Sequence, residues 1–271
     1  MKKRLSFLIK YIYREVFTDA ILELLGSFLR SFYSVVLYYA ALRVFSEQYA
    51  MLAAAGLVIN YFIVHVRGAG VSVSDPMYSS HNVLAELPVS PVTVFRLVWL
   101  ISSVVSSFMT LANFYVLQFV LEFLRAAPPC TLAVLVLSAL ASPAISLFMA
   151  LQWVFQNYVI NALSLRIFSL INKRIRISYF FVTRVVSYMT ALLIFFLYSA
   201  IPIYFTLASM PWWAKPLALV NPQTFLIEAG RGGMSPVEAA AAIALALCVY
   251  YVANEKLFER LVEARRRGRE L

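Results

Sequence analysis

The stretch VVSYMTALLIFFLYSAIPIYFTLASMPWWA, residues 185–214, contains no Asp, Glu, Lys or Arg in 30 consecutive positions. A helix that crosses a bilayer needs about 20 mainly apolar residues. Further uncharged runs cover residues 48–66, 97–121, 126–165 and 239–254. The 271-residue chain is 62% hydrophobic and 13% charged, whereas a soluble domain is typically about 25% charged. The sequence therefore predicts an all-α integral membrane protein.

Six transmembrane helices are expected in a single domain, residues 1–271, at about 24–45, 48–66, 92–121, 130–162, 185–208 and 236–254. Arg30 falls inside the first span and can extend to the near interface. The 40-residue run 126–165 contains Pro143 and is interpreted as one long, kinked span. Two short spans there would place a strongly basic end of the chain outside.

Residues 1–22 place apolar side chains on one helical face and basic ones on the opposite face. This pattern predicts an amphipathic helix in the membrane interface. The alternative is that the segment is the polar start of the first span. Lys10 and Arg14 interrupt its apolar stretch and no small-residue cleavage site follows, so a signal peptide is not expected.

The 23 Lys and Arg residues are divided unevenly by these spans. The side that holds both termini receives 18, the opposite side receives 4, and Arg30 lies within a span. Because basic residues accumulate on the cytoplasmic side, both termini are predicted to be cytoplasmic, in a multi-pass protein of the plasma membrane. The net charge of +10 is accounted for by these loops and by the basic tail 255–271, so no nucleic-acid partner is expected.

Several loops contain a polar side chain followed directly by proline, a combination that starts helices. On the cytoplasmic side, after Asp75, it predicts a short helix from Pro76 to Leu87 that Pro88 ends. A soluble partner could contact this helix, whose alternative role is an amphipathic connector on the lipid headgroups. Its candidate contact residues, with those that lead into the third span, are Met77, His81, Leu84, Glu86, Leu87, Pro88 and Ser90.

On the outer side, the same combination of a polar residue and a proline predicts a short helix from Pro222 to Ala229. Asn221 caps this helix, and the glycines that follow end it. Glu228 and Arg231, three residues apart, are placed to pair locally. Ser235 and Glu238 form a capping box at the start of the sixth span.

These features together resemble the permease subunits of type 2 ABC exporters. In that family a leucine-rich stretch with a Pro-x-Ser-like element precedes the third span, as in LAELPVSPVTVFRLVWL, residues 84–100. An Asn-Pro, aromatic, acidic and Arg pattern precedes the sixth. The matching residues of NPQTFLIEAGRGG, residues 221–233, are Asn221, Pro222, Phe225, Glu228 and Arg231. The chain departs from the family at the start of the third span, where Arg96 is followed by Leu97 rather than Gly, and in the glycine-rich run after Arg231.

The resemblance implies that residues 76–90 contain a coupling helix seated on an ABC ATPase subunit. It also implies that the segment at Asn221 is an interfacial or re-entrant element closing the outer mouth. A structural role is expected for this segment, and direct substrate contact is the alternative. Two permease chains, identical or different, would assemble with two ATPase chains. ATP and Mg would bind the partner ATPase, with no cofactor in this chain, which is not expected to be an enzyme.

Other classes of function are less well supported by the residues. No Gly is followed by Lys, so the chain lacks a phosphate-binding loop of the Walker type. The 13 acids lie in loops, terminal segments or span ends, which argues against an ion-coupled secondary transporter. With only His65 and His81, and with Cys130 and Cys248 at different depths, neither an enzyme centre nor a metal site is indicated. An ATP-independent carrier or an accessory scaffold remains the alternative, and the substrate stays open.

Overall fold

The computed structural model describes residues 36–50, 90–123, 132–154, 160–172 and 178–266, together with Ser6, Lys10, Gly26, Tyr33 and Ala53. Throughout these residues the regular structure is helical, and they include no strand. The helices are α1 (Pro91–Phe123), α2 (Leu132–Val154), α3 (Ile160–Ile171), α4 (Tyr179–Ser199), α5 (Lys215–Val220), α6 (Pro222–Gly230) and α7 (Pro236–Arg266). Residues 36–43 and 47–50 are also helical and are joined by a tight turn at 44–46.

Helices α1, α2 and α7 pack together and form the centre of the described fold. Phe95 of α1 contacts Phe258 of α7, and Trp99, one turn further along α1, contacts Tyr251, earlier in α7. Because the residue numbers run in opposite directions along the two helices, α1 and α7 are antiparallel. The start of α1 therefore lies beside the last part of α7, where Arg96 and Glu255 form an ion pair of 2.8 Å.

Pro143 lies inside α2 without ending it. A proline has no backbone N–H, so the carbonyl of Ala139, four residues earlier, lacks its usual helical donor. Ser107 of α1 supplies one, because its hydroxyl donates to the Ala139 carbonyl oxygen at 3.1 Å. The interior proline is thus accommodated by a neighbouring helix rather than by a break in α2.

Helices α3 and α4 form an antiparallel pair, and α4 also contacts α5. Ile167 and Phe168 of α3 pack on Val182 and Val186 of α4. Near the corner between the two helices, the rings of Phe168 and Tyr179 meet edge to face at 5.5 Å. Much of the remaining surface of α4 is exposed and apolar.

One helix of the described residues, the Pro236–Arg260 part of α7, is long and apolar enough to cross a membrane. Shorter apolar helical stretches cover Val92–Val105, Val136–Gln152 and Tyr179–Ile194. The protein is thus helical, with one candidate membrane-spanning helix among the residues that the structure describes.

Several helix bounds differ from the spans expected from charge alone. The expected span 185–208 corresponds to α4, which begins at Tyr179, because Ser178 caps it by accepting from the N–H of Phe181 at 3.2 Å. It ends at Ser199 because Pro202, which has no N–H and clashes with the preceding turn, does not allow the helix to continue. A run of sequence without charged residues indicates apolar surroundings, but it does not indicate where a helix begins or ends.

The expected span 130–162 and the expected tail 255–271 also differ from the helices. The first covers α2 and the beginning of α3, with residues 155–159 outside the described part. The tail is not a separate segment up to Arg266, since α7 continues through it. Its Glu, Lys, Leu, Arg and Ala residues are all strong helix formers.

The other expected segments are described to different extents. The expected span 92–121 lies within α1. Of the expected interfacial helix and first two spans, the structure describes as helical Ser6, Lys10, Gly26, Tyr33, Ala53 and residues 36–43 and 47–50.

Candidate functional site: the helical element before α7

The residues that carry the resemblance lie in a folded segment between α4 and α7, residues 200–235, here called the pre-α7 element. It contains a single 3₁₀ turn (Leu207–Ser209) and the short helices α5 and α6. Asn221 separates α5 from α6 with extended backbone, and its side-chain oxygen accepts from the N–H of Gln223 at 3.0 Å. Pro222 occupies the first turn of α6, where its missing N–H costs nothing. The predicted cap and helix start are confirmed, and α6 extends one residue beyond the expected Ala229.

Helix α6 is buried on nearly all sides. Of its nine residues all but Ala229 are buried. It packs on α2 and α7, and Phe225, Leu226 and Ile227 join a core cluster that also contains Ile145 of α2 and Ile243 of α7. Helix α6 therefore belongs to the core and is not a surface loop. Each large apolar side chain that it buries contributes about 1.5–3 kcal/mol.

The turn between the first two helical segments lies near the same element. Tyr39 and Ala50, on either side of the turn at 44–46, belong to the core cluster that receives α6. Tyr38 also meets Tyr204 of the pre-α7 element, with ring centroids 6.1 Å apart. One end of the described fold thus gathers this turn, the pre-α7 element and the start of α7.

Glu228 and Arg231 hold the beginning of the pre-α7 element against its end. Their side chains are only 4% and 3% exposed, and their charged groups lie 4.0 Å apart, which confirms the predicted local pair. The Glu228 carboxylate accepts from the backbone N–H of Leu207 at 3.0 Å. The Arg231 guanidinium donates to the carbonyl of Phe205 at 2.8 Å, and also to those of Pro202 and Ile203. We call this arrangement, Glu228 and Arg231 with the backbone of residues 202–207, the clasp.

The electrostatics of the clasp follow from its burial. Burial lowers the pKa of Arg231 to about 10, and the Glu228 carboxylate opposes this change. The guanidinium stays charged at neutral pH because its pKa remains well above 7. A charge that is buried this deeply requires partners, which here are one carboxylate and three main-chain carbonyls.

The glycines after α6 allow the chain to turn back around Glu228. Gly232 has a φ of +76°, a conformation that residues with a Cβ adopt at a cost. The N–H of Gly233 donates to the Glu228 carbonyl at 2.9 Å. A Cβ at Gly233 would lie 2.5 Å from the Glu228 carboxylate oxygen Oε2. The predicted glycine stop therefore also makes room for the acid of the clasp.

The end of α5 is hydrogen-bonded to the middle of α7. The Tyr250 hydroxyl donates to the Val220 carbonyl, and the Thr224 hydroxyl donates to the Ala218 carbonyl at 2.6 Å. Tyr250 lies 14 residues after Pro236, about 21 Å along the helix axis. Helix α6, with nine residues, is about 13 Å long. It therefore runs back alongside the first half of α7, from the level of Tyr250 towards the turn before Pro236.

The other predicted site lies almost entirely outside the described residues. Of Met77, His81, Leu84, Glu86, Leu87, Pro88 and Ser90, only Ser90 is described. Ser90 accepts from the N–H of Thr93 at 3.2 Å and caps α1. Its position one residue before α1 connects the loop directly to the helix that pairs with the end of α7.

Sequence reasoning missed the residues that fasten the element from a distance. Leu207, Thr224 and Tyr250 show no local pattern that marks them as partners of this segment. The buried Asn254 of α7 was also missed, although it donates to the Leu147 carbonyl of α2 at 3.0 Å. The available signal was an Asn at the end of the uncharged run 239–254, because a buried amide requires partners.

The charged groups of the clasp bond to one another and to backbone atoms. Within the described part of the chain, no three His, Cys, Asp or Glu side chains are grouped to hold a metal ion. The polar groups of the clasp are directed at backbone atoms of the same chain. Comparison with known protein families gives no match, and comparison with curated proteins finds no similar sequence.

Proposed function

We propose that this protein is the membrane-spanning subunit of an ATP-driven exporter of the type 2 ABC class. The observation that carries the proposal is α6, a buried helix that folds back beside α7 and is closed by the clasp. Its cap, its core and its clasp are formed by Asn221, Phe225, Glu228 and Arg231, which are residues that carry the family resemblance. A re-entrant helix before the last span is the element that the resemblance implies.

The proposed topology has six spans with both termini in the cytoplasm. The Arg96–Glu255 pair, at the start of α1 and late in α7, is then cytoplasmic. The turn at 44–46 and the pre-α7 element lie together at the opposite end. Trp212 and Trp213, exposed by 83% and 60%, lie in the same element, where paired aromatics suit the outer membrane interface.

In this reading the pre-α7 element closes the outer end of the translocation path. The charged groups of the clasp bond to one another and to the backbone of the same chain, so the element acts as a plug that moves as one body with the first half of α7. The clasp holds residues 202–207 onto that body. Opening towards the outside then requires a movement of the plug or a separation of two permease chains, rather than the melting of α6.

Energy would enter at the opposite end of the molecule. The loop 76–90, proposed to seat on an ABC ATPase subunit, leads directly into α1, and α1 contacts the end of α7 through Phe95, Arg96 and Trp99. ATP and Mg bind the partner ATPase, and a second permease chain, identical or different, completes the path. A push on the loop would thus reach α7 through side chains already in contact.

The first test is purification of the tagged chain from its own membranes in mild detergent, with assay for a co-purifying ATPase. We expect a stoichiometric ATPase, which Leu84→Asp or charge reversal at Glu86 releases while membrane insertion is unchanged. A matched control is Leu170→Asp, which puts the same charge on an exposed apolar position of α3. Substitution of Arg231 should impair folding or gating without releasing the partner.

Two outcomes would contradict the proposal. One is a chain that purifies alone without ATP hydrolysis, which would favour an ATP-independent carrier or a scaffold. The other is release of the ATPase by Leu170→Asp as readily as by Leu84→Asp, since the loop at residues 76–90 would then have no special role.

A further inference from the structure

The corner between α3 and α4 combines strong positive charge with an absence of acids. No Asp or Glu occurs between Glu122 and Glu228. Within that interval the sequence has five cations, Arg166, Lys173, Arg174, Arg176 and Arg184, of which Arg166 and Arg184 belong to the described residues. The end of α7 differs, because Glu255, Glu259 and Glu263 lie among its basic residues. The charge of the α3–α4 corner is therefore not neutralised by neighbours in sequence.

The described helices place two of these cations on either side of the corner. Arg166 precedes the end of α3 by five residues, and Arg184 follows the start of α4 by five residues, so each is about 7–8 Å from the corner along its helix. Both are exposed. The ion pairs of the described residues involve neither of them.

Apolar side chains surround both arginines on the exposed surface. The Arg184 guanidinium lies over the Phe180 ring, 4.5 Å from its centroid, and Phe180 is itself 64% exposed. Tyr188, one turn further along α4, is 70% exposed. Leu163 and Leu170, three and four residues from Arg166, are likewise exposed. Stacking on a ring leaves the N–H edge of a guanidinium available for an anion.

We propose that Arg166 and Arg184, on the two helices that flank the α3–α4 corner, bind the phosphate headgroups of anionic lipids. Arginine forks suit phosphate oxygens, and the exposed Leu and aromatic side chains beside them suit the acyl region just below the headgroups. A nucleic acid or a free phosphate would match the charge but would leave these apolar side chains in water. The inference rests on the membrane placement of the proposed function but not on ATP coupling.

The test is native mass spectrometry of the purified full chain, titrated with phosphatidylglycerol or phosphatidylcholine of identical acyl chains. A cation close to an anionic membrane surface contributes about a fivefold preference. Arg166→Gln with Arg184→Gln should therefore lower the preference for phosphatidylglycerol by about tenfold or more. Arg166→Lys with Arg184→Lys should retain most of it, and millimolar inorganic phosphate should not compete.

The matched control removes two cations from the end of α7, by Lys256→Gln with Arg260→Gln, and should leave the preference unchanged. An equal loss in this control would reduce the effect to net charge and overturn the proposal, as would an unchanged preference in the Gln pair at the corner.

Competition by free phosphate would assign the site to a soluble anion. Loss of a co-purifying ATPase in the corner variant, with lipid preference intact, would assign it to a protein partner. A monodisperse elution profile excludes misfolding, and ATPase co-purification in the wild type reports on the proposed function independently.

Discussion

At the scale of single residues, Arg231 combines local pairing with distant contacts. Its guanidinium pairs with the Glu228 carboxylate and also donates hydrogen bonds to three backbone carbonyls of residues 202–205. A planar guanidinium can donate in several directions at once, which the single ammonium group of lysine, with its different geometry, does not reproduce.

We expect Arg231→Lys to destabilise the protein by about 2–3 kcal/mol, because buried carbonyls lose their donors. Arg231→Met should cost more, about 3–5 kcal/mol, because it also leaves a buried carboxylate unpaired. Unfolding in detergent, followed by intrinsic fluorescence, would measure both. Equal stability of the Lys variant and the wild type would show that charge alone is required.

Gly233 offers a sharper test of the clasp. In Gly233→Ala the added Cβ would lie 2.5 Å from Glu228 Oε2, so the carboxylate must move away from the Leu207 N–H, at a cost of about 1–3 kcal/mol. In a Glu228→Ala background the same substitution should cost much less. Gly232→Ala is the control: it meets no atom within 4 Å but opposes a positive φ, so its cost of about 1 kcal/mol should be the same in both backgrounds. A Gly233→Ala cost that does not depend on Glu228 would contradict the assigned contact.

At the scale of elements, α2 depends on α1 at its proline. The Ser107 hydroxyl takes the place of the N–H that Pro143 lacks. Ser107→Ala should therefore cost about 1–2 kcal/mol, and the cost should fall to a few tenths in a Pro143→Ala background, where residue 143 can donate to Ala139. Ser169→Ala, which removes an exposed hydroxyl bonded within its own helix, is the control and should be nearly neutral. Thermal unfolding of the four combinations measures the coupling, and equal costs in both backgrounds would rule it out.

At the scale of the whole molecule, the proposed topology places the pre-α7 element and helix α3 on opposite sides of the membrane. In a background of Cys130→Ala and Cys248→Ala, Ala208→Cys should react with an impermeant maleimide in intact cells. Ser169→Cys should react only after permeabilisation. Both native side chains are exposed, so burial does not explain a difference. Labelling of both from the same side would refute the six-span arrangement.

The helix caps could be predicted from the sequence, whereas the hydrogen bonds between distant parts of the chain could not. Ser90, Asn221 and Ser235 act on N–H groups two or three residues away, so their function is readable from spacing. The bounds of α4 follow Ser178 and Pro202 rather than the limits of the uncharged run. Tyr250 and Ser107 bond to carbonyls 30 and 32 residues away, and no local pattern specifies such partners.

The sequence by itself determined the helical, apolar character of the chain, the starts of α1, α6 and α7, and the Glu228–Arg231 pair. These depend on composition, on caps and on neighbours within one turn. Only the tertiary structure decided that α6 is buried between α2 and α7. It also decided that Arg231 donates to the backbone carbonyls of residues 202–205, and that the Ser107 hydroxyl replaces the N–H that Pro143 lacks. A backbone carbonyl is the same group in every residue, so its donor is selected by how the helices pack and not by the residue that bears it.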